Sequence, residues 1–122
     1  MGAVKLLRGE INGLSFFYRE GYSDLKTFEE VIGRRVYLKS GMTIERGEKW
    51  LDAGGNVGAF ALLALSFGAE CTIYEPCPVN CKMIEKNLRL NNFDATIKNA
   101  ALMHDQTKKL PLYLGCNNAV WR

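Results

Sequence analysis

The chain has 122 residues, of which 48% are hydrophobic and 24% are charged, and this composition predicts one domain with a single core and no low-complexity linker. Sixteen basic and thirteen acidic residues give a net charge of +3, with no concentration that predicts a basic face for nucleic acid or an anionic membrane. No apolar run is long enough for a signal peptide or a membrane span. We therefore expect a cytoplasmic protein that binds neither nucleic acid nor a membrane.

Residues 1–46 are interpreted as an N-terminal extension made of a hairpin and a helix. Apolar and polar residues alternate loosely from Lys5 to Arg19 around Asn12-Gly13, a pair typical of a type I′ turn between two strands. A short helix is predicted from Ser23 to Ile32, and Gly33 would end it. The alternation from Val36 to Ile44 predicts another strand, interrupted by a glycine.

The sequence from Lys49 to Phe67 predicts a strand, a glycine-rich turn and a helix. The apolar run Lys49 to Ala53 contains Asp52 near its end, and a helical pattern follows from about residue 56. Gly54 and Gly58 suit a strand exit where the backbone is left-handed and approaches a ligand closely. The unpaired N–H groups of such a helix point at whatever lies above the strand.

A second strand, Glu70 to Pro76, ends in an acid 21 positions after Gly54. In a right-handed β-α-β unit, Glu75 would lie beside the first turn and could accept both hydroxyls of a ribose, which implies a nucleoside cofactor. Asn56 stands where the dinucleotide fingerprint requires glycine, and this disfavours a nicotinamide-dependent oxidoreductase.

A second helix from Pro78 to about Asn91 and a third strand from Ala95 to Leu102 complete the predicted core. The carboxyl end of the third strand would face the adenine, where Asn99 and Ala100 are candidate contacts. An ordinary strand end is the alternative interpretation of both residues.

Three remaining features carry weaker signals. His104 could act as a base, but a lone loop histidine without a fixed acid or nucleophile is more often solvated. Cys77 and Cys81 are one helical turn apart, yet no second Cys or His pair completes a zinc site, so no metal is predicted. Leu110 to Gly115 is interpreted as a short edge strand.

Several motifs occur together in one register: Leu51-Asp52-Ala53-Gly54-Gly55-Asn56-Val57-Gly58-Ala59-Phe60, Gly68-Ala69, Tyr74-Glu75-Pro76, Pro78, Asn80 and Asn87-Leu88-Arg89-Leu90-Asn91-Asn92. Together they resemble the FkbM-type S-adenosylmethionine-dependent methyltransferases, usually O-methyltransferases, from about Gly47 to Leu102. One departure is Gly55, where the family more often has alanine.

The resemblance implies an α/β, Rossmann-like methyltransferase fold with an incomplete parallel sheet and an N-terminal β-hairpin and helix extension. It implies a transferase that uses S-adenosylmethionine, with methyl transfer to an oxygen of a small-molecule or sugar-like acceptor. No catalytic residue is identified. The residues expected to hold the cofactor are Asp52, Gly54, Gly55, Asn56, Gly58, Phe60, Glu75, Pro76, Asn99 and Ala100.

Family members carry further strands beyond this point, so we expect a single domain in which residues 47–102 form the cofactor half and residues 103–122 an edge strand and a truncated end. The missing strands would leave one edge of the first strand unpaired, and we expect a homodimer there. The alternative is a non-catalytic nucleoside-binding or assembly module that keeps the fold. The acceptor is left open.

Overall fold

The computed structural model describes residues 3–102. In chain order the elements are β1 (Leu6–Ile11), β2 (Leu14–Arg19), α1 (Asp24–Phe28), a π-helical turn (Glu29–Gly33), α2 (Val36–Lys39), β3 (Lys49–Ala53), α3 (Ala59–Ser66), β4 (Glu70–Tyr74), α4 (Pro78–Leu90) and β5 (Thr96–Lys98).

The N-terminal hairpin is confirmed. Strands β1 and β2 pair antiparallel, with Leu6 opposite Arg19 and Ile11 opposite Leu14. Both turn residues have positive φ, 51° at Asn12 and 82° at Gly13, as a type I′ turn requires.

The helix that follows is continuous with a wider turn at its end. It runs as α1 and continues as the π-helical turn through Gly33. Phe28 of α1 stacks on Phe16 of β2, with ring centroids 4.1 Å apart, and both rings are fully buried. This aromatic pair packs the hairpin and the helix together as one unit.

The predicted strand from Val36 to Ile44 is wrong, because residues Val36–Lys39 form one turn of helix. This turn follows Arg35, whose φ of 52° redirects the chain. Val36 and Tyr37 stay 38% and 42% exposed. An alternating segment without a neighbouring strand gains no ladder hydrogen bonds, so alternation alone does not make it a strand.

The second sheet is parallel, with the order β3-β4-β5. Lys49 to Ala53 of β3 pair with Glu70 to Tyr74 of β4. Helices α3 and α4 make the two crossovers, which is the predicted Rossmann-like β-α-β-α-β arrangement of an incomplete sheet. Strand β5 is shorter than expected because the Asn99 side chain turns to the carbonyls of Glu75 and Pro76.

Helix α3 begins at Ala59 rather than at residue 56, since Asn56 and Gly58 have φ values of 53° and 94° and cannot be part of a right-handed helix. It is buried nearly all round, including Leu62 and Leu63 at 0% exposure. One side contacts β3 and β4, and another contacts the π-helical turn. Burial on both sides explains why the helix has no polar face.

Helix α4 starts with Pro78 in its first turn, as predicted, and Asn91 caps its end. Met83, Ile84 and Leu88 are buried, while Val79 is 45% exposed. Helix α4 contacts both β5 and β2, so it joins the hairpin to the parallel sheet. Within residues 3–102, no helix is long and apolar enough to cross a membrane.

Candidate functional site

The turn between β3 and α3 folds tightly onto the end of β4. The N–H groups of Gly54 and Gly55 both donate to the carbonyl of Tyr74, at 2.8 and 3.1 Å. Gly54 has a φ of 82°, a conformation that glycine adopts at little cost. A Cβ at Gly55 would overlap the Cγ2 atom of Ile73. Two glycines are therefore required here for different reasons, one conformational and one steric.

Glu75 lies beneath this turn with 0% exposure. Its Oε1 accepts a hydrogen bond from the N–H of Asn56 at 2.8 Å, and its Oε2 accepts one from the N–H of Cys77 at 2.7 Å. Hydrogen bonds to an ionised carboxylate are stronger than neutral ones, so this side chain ties the glycine turn to the start of α4. Each carboxylate oxygen keeps a further lone pair, and the ribose role of Glu75 stays a prediction.

Asp52, near the end of β3, and Asn80 each carry a buried side-chain oxygen without a hydrogen-bond partner among the described residues, and Asp52 is the one that lines the cavity. Its Oδ2 is buried and has no hydrogen-bond partner in the described part of the chain. Burial, and secondly the charge of Glu75, raise the pKa of Asp52 to about 6. A buried carboxylate oxygen without a partner is costly, and a cation or a hydrogen-bond donor placed beside it would remove that cost.

A cavity of about 220 Å³ lies in front of Asp52. Strand β3, the turn and the start of α3 line one side, and the N-terminal extension lines the other with Thr27, Val31 and Tyr37. The Tyr37 ring meets Phe60 edge-on, with centroids 5.6 Å apart and an interplanar angle of 86°. The extension therefore forms part of the site wall.

The structure divides the predicted cofactor residues into two groups. Asp52, Gly54, Gly55, Asn56 and Phe60 line the cavity. The others are Gly58, packed on Ile84; Glu75, beneath the turn; and Pro76, Asn99 and Ala100, on the loop ends after β4 and β5.

The Asn99 amide donates at 3.0 Å to the carbonyls of both Glu75 and Pro76. Its side chain thus braces the loop after β4. The adenine contacts expected of Asn99 and Ala100 remain predictions.

Sequence reasoning missed Thr27, Val31 and Tyr37 as wall residues because no local motif marks them. It also missed the role of Asn87, whose amide reaches the carbonyl of Val57 in the turn at 2.9 Å. The fully buried Asn80 places its amide nitrogen 3.5 Å from Asn56 Oδ1.

The buried thiols near the site are not suited to nucleophilic chemistry. Cys71 and Cys81 are free and buried, and burial, followed by the charge of Asp52, raises the pKa of Cys71 to about 12. Thiolate is the reactive form of cysteine, so Cys71 is inert at neutral pH. Residues 3–102 contain no group of three His, Cys, Asp or Glu side chains that could hold a metal ion. His104 and the segment Leu110 to Gly115 lie outside the described residues.

No protein-family model matches this sequence, and a search of curated proteins found no match. Solved structures do match. A SAM-dependent methyltransferase from Agrobacterium tumefaciens superposes with a TM-score of 0.63 and 21% identity over 81% of this chain and 33% of its own. TYW2 of P. horikoshii, solved with MeSAdo, gives a TM-score of 0.60 and 15% identity over 83% of this chain and 38% of its own.

A third match is the Pyrococcus abyssi tRNA (uracil-54, C5)-methyltransferase in complex with S-adenosyl-L-homocysteine, with a TM-score of 0.58 and 18% identity over 76% of this chain and 23% of its own. The chain has the fold of the S-adenosylmethionine-dependent methyltransferases. It spans between 23% and 38% of the length of these three proteins. Within this fold, the parallel strands and the glycine turn form one β-α-β-α-β core. The resemblance to the FkbM family stays a prediction from the sequence.

Proposed function

We propose that the chain is the cofactor-binding part of an S-adenosylmethionine-dependent methyltransferase. The observation that carries the proposal is that Asp52, whose Oδ2 is buried and unpartnered among the described residues, lines a cavity beside the glycine turn, on a fold shared with methyltransferases solved with S-adenosyl-L-homocysteine or MeSAdo. The cofactor carries two cations, a sulfonium and an α-ammonium, and either would satisfy this carboxylate.

The residues around the cavity fit such a ligand. Tyr37 and Phe60 present aromatic rings to the same space as Asp52, and aromatic faces attract cations. Gly54 gives the main chain a conformation without Cβ strain, so that the turn can approach a ligand closely. The wall of the cavity therefore includes one carboxylate, two aromatic rings and the exposed main chain of a glycine.

Methyl transfer needs little from the protein beyond position. When bound, the cofactor supplies an activated methyl group on a cationic sulfur. This chain would hold the donor with the glycine turn, orient its cation with Asp52, and exclude water with the N-terminal extension. No side chain of the described residues is assigned as a base.

The acceptor has two candidate classes. The resemblance to the FkbM family supports O-methyl transfer to a small molecule or a sugar-like acceptor. Against this, at least three of the similar structures are RNA methyltransferases, two of tRNA and one of 16S rRNA, which supports RNA as the second class. The even distribution of the +3 charge favours the small acceptor, because an RNA-binding surface is usually strongly basic.

Calorimetry tests the cofactor. S-adenosylmethionine and S-adenosylhomocysteine are expected to bind with one site per chain, and NAD is expected not to bind.

Gly54→Val should abolish binding because a β-branched residue does not adopt a φ of 82°. Affinity should also fall as the pH drops below about 6, the pKa of Asp52, since the protonated carboxyl no longer attracts a cation. A folded protein that binds neither S-adenosyl compound would refute the proposal.

The second candidate function is a non-catalytic nucleoside-binding or assembly module with the same fold. The observation in its favour is that the outer edge of β3 has no partner strand among residues 3–102. Transfer of a labelled methyl group separates the two functions. Cofactor binding without transfer to sugar, lipid, small-metabolite or RNA acceptors would support the module.

A further inference from the structure

Asn87 connects three parts of the molecule. It lies on α4 with 0% exposure. Its Oδ1 accepts a hydrogen bond from the N–H of Phe17 at 2.6 Å, and its Nδ2 donates to the carbonyl of Phe17 at 3.3 Å. The same Nδ2 donates to the carbonyl of Val57 at 2.9 Å. One buried amide therefore joins the hairpin, helix α4 and the glycine turn.

Asn91, one helical turn later, provides an internal comparison. Its Oδ1 accepts from the N–H of Ser15 at 3.0 Å, and its Nδ2 donates to the carbonyl of Ser15 at 2.7 Å. Its remaining bond goes to the carbonyl of Asn87 in its own helix at 2.8 Å. Both asparagines thus pair with the backbone of β2 as a neighbouring strand would, and they differ in that Asn87 alone of the two reaches the turn.

The turn needs such support because its backbone is strained. Asn56, directly before Val57, is a non-glycine residue with a φ of 53°, whereas Gly58, directly after it, adopts its φ of 94° at little cost. Left-handed non-glycine residues persist where the surroundings hold them in place. Here Glu75 holds the N–H of Asn56 at 2.8 Å, and Asn87 holds the carbonyl of Val57.

We propose that Asn87 is a positioning residue through which the N-terminal hairpin holds the glycine turn in its ligand-binding conformation. The contact of β2 at Phe17 and the ligand site are then energetically coupled through Asn87, so that a ligand on the turn also stabilises this contact, and loss of the contact weakens ligand binding. The coupling rests on the proposed function only for the identity of the ligand.

The test compares Asn87→Ala with Asn91→Ala, since each variant loses one pair of hydrogen bonds to β2, at Phe17 and at Ser15 respectively. Amide hydrogen exchange in the ligand-free proteins is measured first. Asn87→Ala is expected to speed exchange at Asn56 and Gly58, whereas Asn91→Ala speeds exchange at the hairpin and leaves the turn unchanged. Equal exchange of the turn in both variants would overturn the proposal, whatever the ligand is.

Calorimetry with S-adenosylhomocysteine is the second readout. Asn87→Ala should weaken binding by about tenfold, the equivalent of one neutral hydrogen bond, while Asn91→Ala stays close to the original affinity. If neither the original chain nor the variants bind, the proposed function fails and the exchange experiment still decides the role of Asn87. Equal losses of affinity in the two variants would contradict the coupling.

An uncharged polar pair covers the case in which alanine prevents folding. Asn87→Ser and Asn91→Ser shorten the side chain and add no charge. Asn87→Ser loses the hydrogen bonds to Phe17 and Val57, and Asn91→Ser loses those to Ser15 and to the carbonyl of Asn87. Faster exchange at the turn only in Asn87→Ser supports the proposal, and matching exchange refutes it.

Discussion

The buried carboxylate of Glu75 accepts a hydrogen bond at 2.8 Å from the main-chain N–H of Asn56, 19 positions earlier in the chain. This contact joins the end of β4 to the turn after β3. The second oxygen accepts from Cys77 at 2.7 Å. An acid at this place therefore shapes the glycine turn from below, in addition to any contact that it makes with a ligand.

Glu75→Ala is expected to lower the affinity for S-adenosylhomocysteine by at least about tenfold, because two buried N–H groups lose a charged acceptor. It should also lower the free energy of unfolding. Calorimetry and urea denaturation measure the two effects. An unchanged dissociation constant for S-adenosylhomocysteine in Glu75→Ala would show that the ribose does not bind Glu75. It would also show that the conformation of the turn does not depend on this residue.

A ribose analogue distinguishes the two roles of Glu75. If the carboxylate binds the ribose, the original chain discriminates against the 2′-deoxy analogue of S-adenosylhomocysteine and Glu75→Ala does not. If Glu75 only supports the turn, both proteins discriminate equally.

Gly55→Ala is expected to destabilise this chain by about 1 to 3 kcal/mol, because the new Cβ would overlap Cγ2 of Ile73. The FkbM family more often has alanine at this position, but in this chain an alanine would clash with Ile73. Ile73→Leu removes the branch at Cβ, so the double variant should lose less than the sum of the single variants. Thermal unfolding of the four proteins completes the cycle, and strict additivity would contradict the clash.

Asp52 is expected to make stability depend on pH. Its folded pKa of about 6 lies above its ordinary value of 3.8, so between these pH values the folded chain binds more protons than the unfolded chain. The contribution of Asp52 to stability is therefore complete below pH 3.8 and is lost as the pH rises through about 6, a change of about 3 kcal/mol.

Asp52→Asn should remove this dependence, since the amide does not titrate. Urea unfolding of both proteins from pH 4 to pH 7 measures it. The variant should become increasingly more stable than the original chain as the pH rises. Parallel curves for the two proteins would show that Asp52 titrates at its ordinary pKa.

The outer edge of β3 predicts self-association. Within the described residues β3 pairs with β4 alone, and Leu51 on β3 is 52% exposed. An unpaired strand edge with apolar side chains is a template for another chain, so we expect a homodimer with two-fold symmetry. Sedimentation at micromolar concentration measures its mass, and Leu51→Lys should shift it toward the monomer. A monomer of 13.7 kDa in the original chain would contradict this.

Local chemistry accounts for the elements that were predicted correctly. Asn12-Gly13 dictated the hairpin because both residues accept positive φ, and the sites of Gly54 and Gly58 followed from the same backbone argument. The two acids at the strand ends indicated parallel strands joined by helices. Each of these features depends on residues that are close together in the sequence, so the sequence alone was sufficient to predict it.

Contacts between residues distant in sequence determined the rest. Val36 to Ile44 alternates like a strand, but no neighbouring strand pairs with it, and its first residues became a helical turn. Glu75 turned beneath the loop because two main-chain N–H groups converge on it there. Asn87 reaches β2 and Val57 across 70 and 30 positions of the chain. A hydrogen bond depends on distance and direction in space, and a linear pattern of residue types specifies neither.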